Sequence, residues 1–106
     1  MLWTVALHRA ARKELDEQPP DIRAKLDQIV TLIETFGLSR VPAKYARHLQ
    51  GPLWEFRLKG KDGIARALYI TAQGPRIIIV RVFAKKTQKT PRREIEIALQ
   101  RAKDSQ

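Results

Sequence analysis

The sequence contains no cysteine in 106 residues. That removes disulfide frameworks, zinc–thiolate centres and thiol nucleophiles from consideration. It holds only two histidines, His8 and His48, and no cluster of His, Asp or Glu has metal-ligand spacing. No apolar run approaches the length of a bilayer crossing. Residues Leu2 to Leu7 alternate apolar and polar instead of forming the apolar core of a signal peptide. Repeats and low-complexity stretches are also lacking. The expectation is therefore a soluble, cytoplasmic protein with no metal, cofactor, membrane or small-molecule ligand. Its length suits one domain spanning residues 1–106.

Acidic residues are scarce against basic ones, and this is the strongest bulk signal. The chain carries 21 Lys/Arg and 11 Asp/Glu, a formal net charge of +10. Residues 1–40 hold six of each sign, whereas residues 41–106 hold 15 basic and 5 acidic residues. An excess confined to one part of a chain points to a surface aimed at a polyanion. A basic surface that merely aids solubility is the alternative.

Periodicity divides the chain into elements. Leu2–His8 reads as a strand with Trp3, Val5 and Leu7 on one side. Arg9 to Glu17 is helix-forming, and Pro19-Pro20 interrupts it. From about Pro20 to Phe36, Ile22, Leu26, Ile29, Val30, Ile33 and Phe36 recur at helical spacing, and Gly37 closes the segment. Residues 37–52 show no clear period and read as a loop, with His48 as a surface or packing histidine. Three strands follow, Leu53–Leu58, Ile64–Thr71 and Arg76–Phe83, joined by turn segments. The run Ile77-Ile78-Ile79-Val80 predicts a strand buried on both faces. Thr90-Pro91 opens a last helix, with Thr90 as N-cap and Ile95, Ala98, Leu99 and Ala102 as its stripe. The order predicts an α+β fold, a small antiparallel sheet with helices on one face.

The candidate chemistry lies on the strands and the segment after them. A turn centred on Lys61-Asp62 sets Arg57 opposite Arg66, a like-charge pair that destabilises a sheet unless an anion sits between. Weak repulsion in open water is the bland alternative. Beyond the third strand come Phe83, Lys85, Lys86 and Lys89. The lysines suit phosphate, and Phe83 either caps the core or stacks on a base. The following helix start adds backbone N–H donors.

These residues also carry a resemblance. The runs Leu53-Trp54-Glu55-Phe56-Arg57 and Ala65-Arg66-Ala67-Leu68-Tyr69, with Ile78 to Pro91 including Phe83-Ala84-Lys85-Lys86-Thr87-Gln88-Lys89-Thr90-Pro91, resemble the HigB-like, phage-derived branch of the RelE/ParE toxin superfamily. The resemblance covers nearly the whole chain. It implies the microRNase-type fold, with two N-terminal helices on one side of an antiparallel sheet and a C-terminal helix. It further implies a toxin of a type II toxin–antitoxin pair, a metal-independent endoribonuclease that cleaves mRNA on the ribosome by 2′-hydroxyl attack. The implied partners are ribosomal mRNA and a cognate antitoxin of helix-turn-helix type. Carried over residue by residue, Arg57, Arg66, Lys85 and Lys86 are the catalytic candidates, and Lys59, Phe83 and Lys89 the substrate-binding ones. The general base is left open between a lysine among other cations and Glu55. Two other functions stay open: gyrase inhibition, as in ParE-type relatives of the same fold, and nucleic-acid binding without catalysis.

Overall fold

The computed structural model describes residues 2–105. Strand β1 (Thr4–Leu7) leads into helices α1 (Arg9–Asp16) and α2 (Pro20–Phe36). Two single 3₁₀ turns, Leu38–Arg40 and Ala43–Tyr45, precede strand β2 (Ala46–Gln50). Strands β3 (Leu53–Gly60), β4 (Gly63–Ala72) and β5 (Arg76–Ala84) follow, then helix α3 (Arg92–Asp104). The five strands form one sheet in the order β1-β5-β4-β3-β2.

Local chemistry accounts for the ends of these elements. The His8 imidazole Nδ1 accepts the Ala10 N–H at 3.1 Å, satisfying one orphan donor at the start of α1. Pro20 opens α2 with its φ already helical. Four residues of the predicted stripe, Ile22, Leu26, Ile29 and Ile33, are buried on α2. Phe36 is not: it is 61% exposed and lies beneath the Arg40 guanidinium, 5.6 Å from its ring centre.

The sheet is α+β as expected but differs from the sequence reading in three ways. It is mixed, because β1 runs parallel to β5, Thr4 beside Arg76 and Leu7 beside Ile79. Alternation reports which face a residue takes, not strand direction, so the sequence was silent on this point. Second, the segment read as a loop contains β2, paired antiparallel to β3. An outer strand has one neighbour, and an irregularity between His48 and Gln50 breaks its period. Gly51, at φ 53°, supplies the left-handed residue that a two-residue hairpin loop needs. Third, helices cover both faces. α1 and α2 pack on a core that includes Leu26, Ile33, Phe56, Tyr69, Ile77 and Ile79. α3 packs on a second core with Leu53, Leu68, Ile70, Ile78, Val80, Ala98 and Ala102. Residues 77 to 80 of β5 are apolar without alternation because both faces are covered.

The β3–β4 hairpin has the register expected. Gly60 pairs with Gly63 around a Lys61-Asp62 loop, and Arg57 stands directly opposite Arg66. On the other face Phe56 stacks on Tyr69, ring centres 4.0 Å apart. Asp21 at the start of α2 pins the hairpin tip, its carboxylate accepting the Lys61 N–H at 2.7 Å. A side chain at Gly60 would come within 2.7 Å of that carboxylate, so only glycine lets it in.

Between β4 and β5 the register slips at Leu68/Tyr69, which lie opposite Arg81 and Ile79. Val80 is the extra residue of this bulge. Past β1, the free edge of β5 is closed by Glu14 of α1, whose carboxylate accepts the Val82 N–H at 3.1 Å. The same carboxylate pairs with Arg81 and, at 2.9 Å, with Arg101 of α3. Arg81 Nε also donates to Glu94 of α3 at 2.5 Å.

Candidate functional site

The α3 face of β3 and β4 becomes polar toward the β3–β4 loop. Leu53 and Leu68 belong to the core there, and the next residues outward on the same face are Glu55, Arg57 and Arg66. Glu55 is fully buried and Arg66 is 2% exposed, whereas Arg57 lies open to solvent.

Burial of charge requires partners, and these come from long range. Glu55 accepts from Arg47 Nε of β2 at 2.7 Å and from the Thr90 hydroxyl at 2.8 Å. Arg66 Nη1 donates to the Thr90 hydroxyl oxygen, and Nη2 donates to the Gln88 carbonyl at 2.6 Å. Its Nη1 lies 3.7 Å from Glu55. Arg66 Nε is buried with no partner. Thr90 is therefore not the N-cap of α3. The helix begins one residue later than expected, at Arg92, with Pro91 in the cap position, and the Thr90 hydroxyl turns inward to bridge Glu55 and Arg66.

That bridge, with three other bonds, fastens the segment between β5 and α3. Lys85 N–H donates to the Ile64 carbonyl at 2.7 Å. The Thr87 hydroxyl donates to the Lys89 carbonyl at 2.7 Å, and the Gln88 carbonyl is held by Arg66. The lysine segment is thus a built loop, not a loose basic tail.

Three adjoining hollows run along this side of the molecule. The middle one, about 220 Å³, is lined by Lys44, Arg47, Arg57, Arg66, Lys85 and Gln88 among others. A second, about 350 Å³, shares Arg66 and Lys85 with it and continues past Phe83, Lys86, Lys89, Pro91 and Glu94. The third, about 320 Å³, shares Lys44 and Arg57 and adds Tyr45, Lys59 and Ile64. Together they make a trough with eight basic side chains and one carboxylate, Glu94, in its walls. No three His, Asp or Glu side chains come together to hold a metal ion among the described residues.

All seven residues singled out in the sequence line this trough, in different ways. Arg57 and Arg66 meet at the middle hollow with Lys85. Lys86 and Lys89 are exposed in the second hollow, and Lys59 in the third. Phe83 is 8% exposed and packed in the α3-side core, so it forms a wall of the second hollow and does not project into it. Sequence reasoning missed Arg47 of β2 and Lys44 of the turn before it, because residues 37–52 were read as a loop without period. The Gly51-Pro52 pair just before a clear strand was the available hairpin signal.

Lys85 sits where the middle and second hollows meet. Partial desolvation, then the charges of Arg66 and Arg57, lower its pKa below the ordinary amine value, with Glu55 opposing. Other candidate bases are removed from the trough. His48 pairs with Trp54 and so lies on the opposite face from Glu55 and Arg57; its ring meets the Trp54 ring edge-on at 5.2 Å. Tyr69 is buried in the hairpin-side core, where desolvation pushes its pKa up to about 12.

Comparison with known proteins follows the same lines. The family model described as phage derived protein Gp49-like matches residues 13–103. The chain belongs to that family. As a Gp49-like protein it is a member of the RelE superfamily, and its fold agrees. A solved structure of the E. coli toxin RelE, an arginine-to-alanine double mutant in the free state, superposes with a TM-score of 0.63. The two chains are 16% identical, over 95% of this chain and 98% of that one. No curated protein matches this Gp49-like sequence. No helix among the described residues is long and apolar enough to cross a membrane.

Proposed function

We propose that this Gp49-like protein is the toxin of a toxin–antitoxin pair and cleaves mRNA on the ribosome. The observation that carries the reading is the convergence of Arg57, Arg66 and Lys85 on one hollow, the last with a depressed amine pKa. In the reaction the ribose 2′-hydroxyl attacks the adjacent phosphate, and the bond to the 5′-oxygen breaks. The products are a cyclic phosphate and a 5′-hydroxyl.

Each step has a residue suited to it. The pentavalent phosphate gains negative charge, which fixed cations stabilise more than they stabilise the ground state. Arg57, open to solvent, contacts that phosphate directly. Arg66 has both Nη groups engaged by the protein and its Nε enclosed, so it acts as a fixed positive charge at the floor of the hollow. Lys85, as the free amine, takes the 2′-hydroxyl proton. Lys86, on the same loop, supplies an ammonium for the leaving oxygen. Glu55 is not the base in this scheme, because it is fully buried and bonded to Arg47 and Thr90. Lys59 and Lys89 hold backbone phosphates on either side. A helix-turn-helix antitoxin with an acidic segment would cover the trough by charge complementarity.

The test is a reconstituted translation reaction with mRNA ends mapped afterwards. The purified protein should cut within codons only when ribosomes are present. Arg57→Ala should fold normally, its side chain being exposed, and slow cutting about 10²–10³-fold, the loss typical of one transition-state donor. Arg66→Ala is a poorer probe, since it strips partners from Thr90 and the Gln88 carbonyl. Intact mRNA from a folded protein would sink the nuclease reading and make a DNA supercoiling assay the next measurement.

A further inference from the structure

The basic side chains in the trough all suit phosphate, with Arg47 also holding Glu55 and Arg66 also fastening the loop. Glu94 is the exception. A carboxylate repels the RNA backbone, yet it lines the second hollow beside Lys85, Lys86 and Lys89. It is held there. Its Oε1 accepts Arg81 Nε at 2.5 Å, which fixes the side chain, and its Oε2 has no protein donor among the described residues. The hollow it lines, about 350 Å³, is of ligand-pocket size. Two of its walls are apolar and rigid: Phe83, locked in the core, and Pro91.

We propose that this hollow is a base-reading pocket. It receives the base of the nucleotide next to the phosphate held in the middle hollow, and Glu94 selects bases that present an amine. This rests on the RNA-binding reading of the trough given above. The apolar walls accept a flat base, as aromatic platforms do for any base. Glu94 then supplies what stacking cannot, discrimination. A carboxylate accepts a hydrogen bond from the amine of cytosine N4 or adenine N6, and from the N1–H and N2 amine of guanine. Uracil presents one N3–H between two carbonyl oxygens, which a carboxylate repels. The pocket therefore disfavours uracil. The two functions divide along the trough, cations for the backbone and a single acid for the base.

The experiment measures binding of fluorescently labelled hexaadenylate, hexacytidylate and hexauridylate to the full chain by anisotropy. The adenylate and cytidylate oligomers should bind about tenfold more tightly than the uridylate, within the range of one well-formed base contact. Glu94→Gln should erase that difference, because an amide can turn its N–H₂ to a uracil carbonyl. Arg57→Ala should weaken all three by the same factor. Equal affinity of the wild-type protein for the three oligomers would overturn the pocket and leave the trough standing. So would a preference that survives in a folded Glu94→Gln protein. Failure of every oligomer to bind would remove the RNA reading itself, and the pocket with it. The wild-type comparison needs no variant, so a Glu94→Gln protein that does not fold leaves the first criterion intact.

Discussion

Lys85 and Arg66 are neighbouring cations set to different tasks by their surroundings. Arg66 is nearly enclosed and spends its Nη groups on Thr90 and Gln88, whereas Lys85 is half-buried with its amine uncommitted. Burial and the two nearby guanidinium groups favour loss of the Lys85 proton. A base must be unprotonated to act, so the cleavage rate should rise with pH and level off below the range of an ordinary lysine. Lys85→Met should lose that rise while retaining RNA binding; single-turnover rates across pH would show it. At this scale the sequence was partly legible. The Arg57–Arg66 opposition could be read because the Lys61-Asp62 loop fixes the register. The Glu55–Thr90 bond could not. Thr before Pro at a helix start looks like a cap, and nothing local reveals a partner 35 residues away.

Among the elements, the Glu14 carboxylate ties α1 to both β5 and α3. Burial alone would raise the Glu14 pKa, but the bond from Arg101, the Val82 N–H and the charges of Arg81 and Arg101 outweigh it and hold it below 4.5. A carboxyl with a lowered folded pKa adds stability above its unfolded pKa and loses it as pH falls through the folded value. Glu14→Gln should therefore cost about 1–3 kcal/mol at neutral pH, and the deficit should shrink as pH drops below 4.5. Urea melts of both proteins at several pH values would measure this; a constant deficit would refute it. α2, α3 and the three long strands were legible because apolar period and turn residues agree there. β2 and the direction of β1 were not, since an edge strand needs little apolar alternation and strand direction leaves no local mark.

Over the whole molecule, charge is sorted by region. The strand and helical hairpin of residues 1–40 are neutral in sum, and eight cations line one trough. RNA affinity should therefore fall steeply with salt, each neutralised phosphate of a single strand contributing about 0.7 to the log–log slope. Lys59→Ala, inside the trough, should reduce the slope by about 0.7, and Lys61→Ala, outside it, should leave it unchanged. Anisotropy titrations in increasing KCl would decide; an equal effect of both would mean the trough is not the contact surface. The β3–β4 register ties this surface to the interior. One set of backbone pairings puts Arg57 against Arg66 on one side and Phe56 against Tyr69 on the other. A single-residue insertion in either strand would turn both sets over together. Evolution can exchange side chains on this hairpin one at a time, but any change in its length disturbs the trough and the core in the same stroke. Descendants of this gene should accordingly differ in length at their loops and ends, and not here.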